Sequence, residues 1–210
     1  HWHIPAAVTL AEVGPDIEDQ PAPWPLLTTV GVDEDGTHWL ANLEDRHIVI
    51  TGDHTYGLDL ARHFAAEAVC NPWAGTLYID LVGVAPELSG LDPDRIHTYP
   101  DHDSAREEVI GSGLLEAIAA VDRYRTYGRD TVTARVDLDE PDTWPARLLV
   151  VDAAAHSRSL ESLMELIREH PGATGTCVIV TDATAPTEGS TTLQVSAEGR
   201  VSIPDLGLDL

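Results

Sequence analysis

Short apolar, β-branched runs alternate with helix-forming stretches along most of this chain, and that alternation limits the fold more than any other feature. His47–Thr51, Thr76–Val84, Arg147–Asp152 and Thr176–Asp182 are near-continuous apolar runs. Such runs suit strands covered by helices on both faces. Between them, Leu58–Cys70 places Ala61, Phe64, Ala65 and Ala68 on one helical face. A second helix is expected from a capping box, Ser104 with Glu107, to about Tyr127. A third carries Leu160, Leu163, Met164 and Ile167 and stops at His170-Pro171-Gly172. The pattern predicts an α/β fold with a mainly parallel central sheet flanked by helices. Two β-hairpins are added. One joins Leu26–Asp33 to Thr37–Leu43 through Glu34-Asp35-Gly36, and the other joins Thr191–Ser196 to Arg200–Ile203 through Ala197-Glu198-Gly199. They are expected to extend the sheet edges or cover one end. Residues 1–25 hold Pro5, Pro15, Pro21, Pro23 and Pro25 and read as an extended segment, leaving 26–210 as one α/β domain. Residues 85–103 and 137–146 read as loops.

Charge narrows the function. The 210 residues include 36 acidic and 12 basic side chains, a net charge of −24, and every basic residue is arginine. So acidic a surface repels phosphate backbones and anionic membranes, which argues against nucleic-acid partners. The absence of lysine excludes Schiff-base chemistry and the lysine that grips phosphate in a P-loop. Cys70 and Cys177 form no metal-binding pattern and are expected to be two buried free thiols. No apolar run approaches the roughly 18 residues of a membrane-spanning helix, so no direct membrane insertion is expected. The chain begins with His1, and its one methionine is Met164, so it is expected to be a piece of a longer or processed protein.

The segment His47-Ile-Val-Ile-Thr-Gly52-Asp-His-Thr-Tyr-Gly57-Leu-Asp59 runs strand, tight turn, helix. Its glycines have the spacing of G-x-x-x-x-G-K-[ST], a frame that wraps backbone N–H groups around phosphates at a helix start. Here the lysine position is Leu58 and the magnesium-binding hydroxyl position is Asp59. Asp53 adds a second carboxylate inside the frame. Both acids repel a polyphosphate, and no cation replaces the lysine. Arg147-Leu-Leu-Val-Val-Asp152 has the form of a Walker B strand, but Ala153, Ala154 and Ala155 follow in place of a water-activating acid. The candidate site positions are therefore Gly52, Asp53, Gly57, Asp59 and Asp152, read as remnants of a nucleotide site. No catalytic residue, metal ligand or cofactor is assigned.

The arrangement resembles the additional-strand P-loop ATPases that include DNA translocases and type VII secretion motors, as one of their degenerate modules. It is similar, more closely, to a module of large actinobacterial membrane proteins that also carry LysM and bacterial transcriptional activator domains. The residues that carry this likeness are Trp24–Asp33, Gly36–Glu44, Ile50–Asp53, Asn71-Pro72-Trp73, Tyr78–Gly83 and Ala197–Leu208. The resemblance implies a cytoplasmic domain of a membrane-tethered protein, working on protein partners or flanking domains, with no catalytic residue to transfer.

Two readings follow. The first is a non-catalytic scaffold or regulatory interaction domain. The alternative is an atypical nucleotide-binding or nucleotide-hydrolysing enzyme in which Asp59 and Asp152 hold magnesium and an arginine stands in for the lysine. A ligand sensor using the C-terminal ends of the strands is a third option. His1-Trp2-His3 and the cluster His97, Asp101, His102 and Asp103 contain metal-ligand types, but the second sits in an acidic loop where such groups are normally solvated. Trp144, in an acidic loop, is expected to be an exposed interface anchor.

Overall fold

The computed structural model describes residues 24–71, 74–100, 103–136, 144–153 and 157–210. The proline-rich segment, apart from Trp24 and Pro25, lies outside the described residues, as do Trp73, Asp101 and His102. The elements are β1 (Leu27–Val32), β2 (His38–Asn42), β3 (Arg46–Gly52), α1 (His54–Cys70), β4 (Leu77–Val82), β5 (Ile96–Tyr99), α2 (Asp103–Tyr127) and α3 (Thr131–Val136). They continue as β6 (Ala146–Asp152), α4 (Arg158–Glu169), β7 (Thr176–Thr181), β8 (Thr191–Val195), β9 (Val201–Ile203) and β10 (Leu208–Asp209).

An eight-stranded sheet runs β10-β9-β8-β3-β7-β6-β4-β5. The strands from β8 to β5 pair in parallel, and β9 and β10 add an antiparallel edge. The expected α/β architecture is therefore present, and the C-terminal hairpin extends the sheet. The N-terminal hairpin does something different. Strands β1 and β2 form their own two-stranded sheet, which lies on α1. The Glu67 carboxylate accepts the Thr29 N–H at 2.7 Å and its hydroxyl at 2.8 Å.

The apolar runs are explained by burial on both faces of the sheet. Along β6, Leu148 and Val150 join one core with Phe64, Ala65 and Ala68 of α1 and with Leu26, Val30 and Leu43 of the hairpin region. The alternate residues Leu149 and Val151 join a second core with Ile110 and Ala117 of α2 and Leu160, Leu163 and Ile167 of α4. Successive strand residues point to opposite faces, so each strand serves two cores. Burying the Phe64 ring alone contributes about 2–3 kcal/mol.

Several expectations need correction. Strand β5 and the short helix α3 fall where loop, or no element, was expected. Helix α2 starts at Asp103, one residue ahead of the expected cap position Ser104. Helix α1 starts at His54, ahead of the expected Leu58. Cys177 is buried, but Cys70 is exposed. Trp144 is buried beneath the Arg123 guanidinium, which lies 5.3 Å from its ring centroid. The sequence places it in a polar stretch, but the residue packs where α2 meets the start of β6. No helix among the described residues is long and apolar enough to cross a membrane.

Candidate functional site

The glycine frame lies at the C-terminal end of the parallel sheet, where β3 hands over to α1. Gly52 is paired with Val195 of β8. Its φ is +101°, and a Cβ added there would sit 2.0 Å from the Val195 carbonyl oxygen. The next N–H, of Asp53, donates to that oxygen at 2.9 Å. Glycine is needed here because the neighbouring strand comes so close and because the backbone is left-handed. Gly57 has a different reason. It is buried within α1, its N–H donates to the Asp53 carbonyl at 2.9 Å, and a Cβ would meet Cγ2 of Ile50 at 3.1 Å.

Between the glycines, His54, Thr55 and Tyr56 form the first turn of α1 rather than an open loop. Asp53 is the N-cap, with extended backbone (φ −68°, ψ 124°), and its Oδ1 accepts the Tyr56 N–H at 3.0 Å. A helix N-terminus attracts negative charge through its unpaired N–H groups and its dipole. Here the chain's own carboxylate occupies that position. The Tyr56 ring packs over the β8–β9 turn, since a Cβ at Gly199 would lie 3.3 Å from its Cε1. His54 Nδ1 lies 3.1 Å from Asp182 Oδ1, bridging the ends of β3 and β7.

The remaining candidate positions are spread around this turn. Leu58 packs against the main core. Asp59 is on the exposed flank of α1 and accepts from Arg62 at 2.7 Å, while Arg62 also reaches Glu87 at 2.8 Å. Asp152 ends β6 and is half-buried. Strand β7 separates β6 from β3, so Asp152 stands about 10 Å sideways from the glycine frame at two interstrand spacings. No group of three or more His, Cys, Asp or Glu side chains that could hold a metal ion occurs among the described residues. Asp53 and Gly57 are thus in direct contact, and Gly52 adjoins them. Asp59 is held elsewhere by Arg62, and no metal-holding group unites it with Asp152.

Sequence reading missed a second concentration of charge, on the α2 side of the sheet. Asp80 is buried at the centre of β4 and paired with Arg147 of β6. The signal was present as one acid inside Leu77–Val82 and one arginine at the head of an apolar run. Charged residues in buried parallel strands call for partners, but their 67-residue separation hides the pair.

No protein-family model and no curated protein matches this chain. Solved structures do. The Thermomonospora curvata EccC (ATPases 2 and 3), solved in complex with a signal sequence peptide, has a TM-score of 0.61 at 15% identity. That likeness covers 90% of this chain and 42% of the EccC chain. The pCW3 conjugation coupling protein TcpA, in its monomer form with ATPγS, matches with a TM-score of 0.59 at 12% identity, over 86% of this chain and 57% of its own. EssC (ATPases 2 and 3) of Geobacillus thermodenitrificans matches with 0.58 at 16%, over 84% and 39%. The chain thus spans about half or less of these relatives' length. At such identities the likeness is one of fold, and the fold is that of P-loop ATPase domains in secretion and conjugation proteins.

Proposed function

We propose that this chain is a non-catalytic, P-loop-like scaffold or regulatory interaction domain of a larger, membrane-linked protein, acting in the cytoplasm on protein partners or flanking domains. One observation carries the reading. The helix start that would receive a polyphosphate is closed by the Asp53 carboxylate, which already accepts the Tyr56 N–H. An added phosphate would meet that charge at close range, with no lysine anywhere in the sequence to offset it. The resemblance to modules that accompany LysM and transcriptional activator domains in actinobacterial membrane proteins supports the wider setting. So does the fold likeness to domains of much longer chains.

The enzyme alternative requires Asp59 and Asp152 to share a magnesium ion. The Arg62 pairing of Asp59 opposes it. Thermal unfolding separates the two readings. With Mg-ATP or Mg-GTP at about 5 mM the midpoint stays unchanged; a rise of several degrees would overturn the scaffold reading.

A further inference from the structure

A cavity of about 690 Å³ opens between α2 and the β5–β4–β6–β7 part of the sheet. It lies on the opposite face of the sheet from α1, since Tyr78, Asp80 and Arg147 on its wall alternate with Ile79, Leu81 and Leu148 of the α1-side core. The volume falls in the range of small-molecule sites. One end, at the starts of β4, β6 and β7, is lined by Tyr78, Ala120, Arg123, Pro145, Thr174 and Thr176.

Arg123 is half-buried at this end, with its guanidinium 5.3 Å from the centroid of the Trp144 ring. Its Nε is buried and has no hydrogen-bond partner, so the part of the group that lines the cavity is its Nη end. No hydrogen bond or ion pair to Arg123 occurs among the described residues. That is unusual in a chain with 36 acids and 12 arginines. Arg62, Arg95, Arg135 and Arg147, also buried or half-buried, each pair with a carboxylate. The acids on the cavity wall lie elsewhere. Asp80 and Glu116 both pair with Arg147. Glu108 is exposed and precedes Arg123 by about 22 Å along α2. Glu116 precedes it by about 10 Å, roughly one Debye length, where repulsion of a bound anion is largely screened. A cation held against an indole keeps its N–H edge for an acceptor, and the two Nη groups form a planar fork matched to a carboxylate. Tyr78, Ala120 and Pro145 supply flat, apolar wall beside it.

We propose that this end of the cavity binds a small organic monocarboxylate carried on a flat apolar body. The carboxylate accepts from the Arg123 fork, and the body lies against Tyr78, Ala120 and Pro145. One guanidinium balances one negative charge; a dianion would bring a second charge toward Glu116 with no cation to meet it. The site is separate from the turn at the start of α1 and lies on the other face of the sheet.

The test is a titration of the 210-residue chain with 2-naphthoate and with its neutral counterpart 2-naphthamide, followed by NMR of the backbone amides and of the Arg123 side-chain Nε–H. 2-Naphthoate produces saturable shifts at the Arg123 Nε–H, Ala120 and Thr176, and binds about tenfold more tightly than 2-naphthamide. Arg123 has no carboxylate partner among the described residues, so Arg123→Met strands no acid; it keeps the fold and weakens 2-naphthoate about tenfold. If that variant does not fold, the wild-type comparison of acid with amide, read at the Arg123 Nε–H, decides alone. The proposal is overturned if the amide binds as tightly as the acid, if a folded Arg123→Met binds 2-naphthoate unchanged, or if no saturable shift occurs by about 10 mM.

Discussion

The two faces of the sheet treat charge in opposite ways. At the head of α1 one carboxylate caps the helix N-terminus and two glycines serve packing. On the α2 face, carboxylates and arginines are gathered around a cavity, and Arg147 pairs with both Asp80 and Glu116. The first region has the glycine spacing of a phosphate loop and, in its place, a capped first helical turn. The second has an interior and no sequence outline. A motif reports backbone shape, while chemistry depends on which groups remain unsatisfied once the backbone is in place.

Breaking the pairing on the α2 face has the largest expected effect. Arg147→Met leaves Asp80 and Glu116 without their partner, and chemical denaturation should show a loss of about 3–5 kcal/mol. Adding Asp80→Asn to that variant should recover much of it, because the cost comes mainly from the stranded buried acid. If the single variant lost nothing, the cluster would not be the tightly paired region described.

Gly52→Ala tests the other face. The added Cβ collides with the Val195 carbonyl and holds a strained φ, so a loss of about 3 kcal/mol is expected. A neutral result would return Gly52 to the role of a phosphate-loop residue.

The opposite end of the same strand sharpens the contrast. His47 is buried at the start of β3, and burial lowers its pKa to about 4 from an ordinary 6.5. The unfolded chain therefore binds the extra proton first as pH falls. Stability from this group is full above about pH 6.5 and is lost progressively down to about pH 4, by about 3 kcal/mol. Denaturation of the wild type and of His47→Gln across that window should show the slope flatten in the variant.

The smallest effect belongs to the cap. Asp53→Ala should cost about 1 kcal/mol, and Asp53→Ser only a few tenths, because serine keeps an acceptor for the Tyr56 N–H. Restoring motif residues with Leu58→Lys and Asp59→Thr should not create nucleotide affinity, since the turn stays helical. Affinity gained in that double variant would show that side chains alone, and not the closed turn, exclude the ligand.

The parallel strands were legible because a doubly covered strand is written in consecutive residues, as in Arg147–Asp152. Phe64 and its helical neighbours were legible for the same reason, as a local period of 3.6. Strand β5 was not, because Ile96-His-Thr-Tyr is short, polar at the edge and preceded by Asp92-Pro93-Asp94. Helix α3 is too short for a period to show. Asp53 could have been read as a cap from its place before an amphipathic run, but the glycine spacing drew it into a loop. The Asp80–Arg147 pair was hidden by distance along the chain.

The central claim is that the start of α1 already holds its anion. Amide NMR of Gly52 to Gly57 during a Mg-ATP titration tests it most directly. The account predicts that the Tyr56 amide, bonded to Asp53, does not move up to about 5 mM nucleotide. A saturable shift of that amide, with its bond to Asp53 lost, would contradict it.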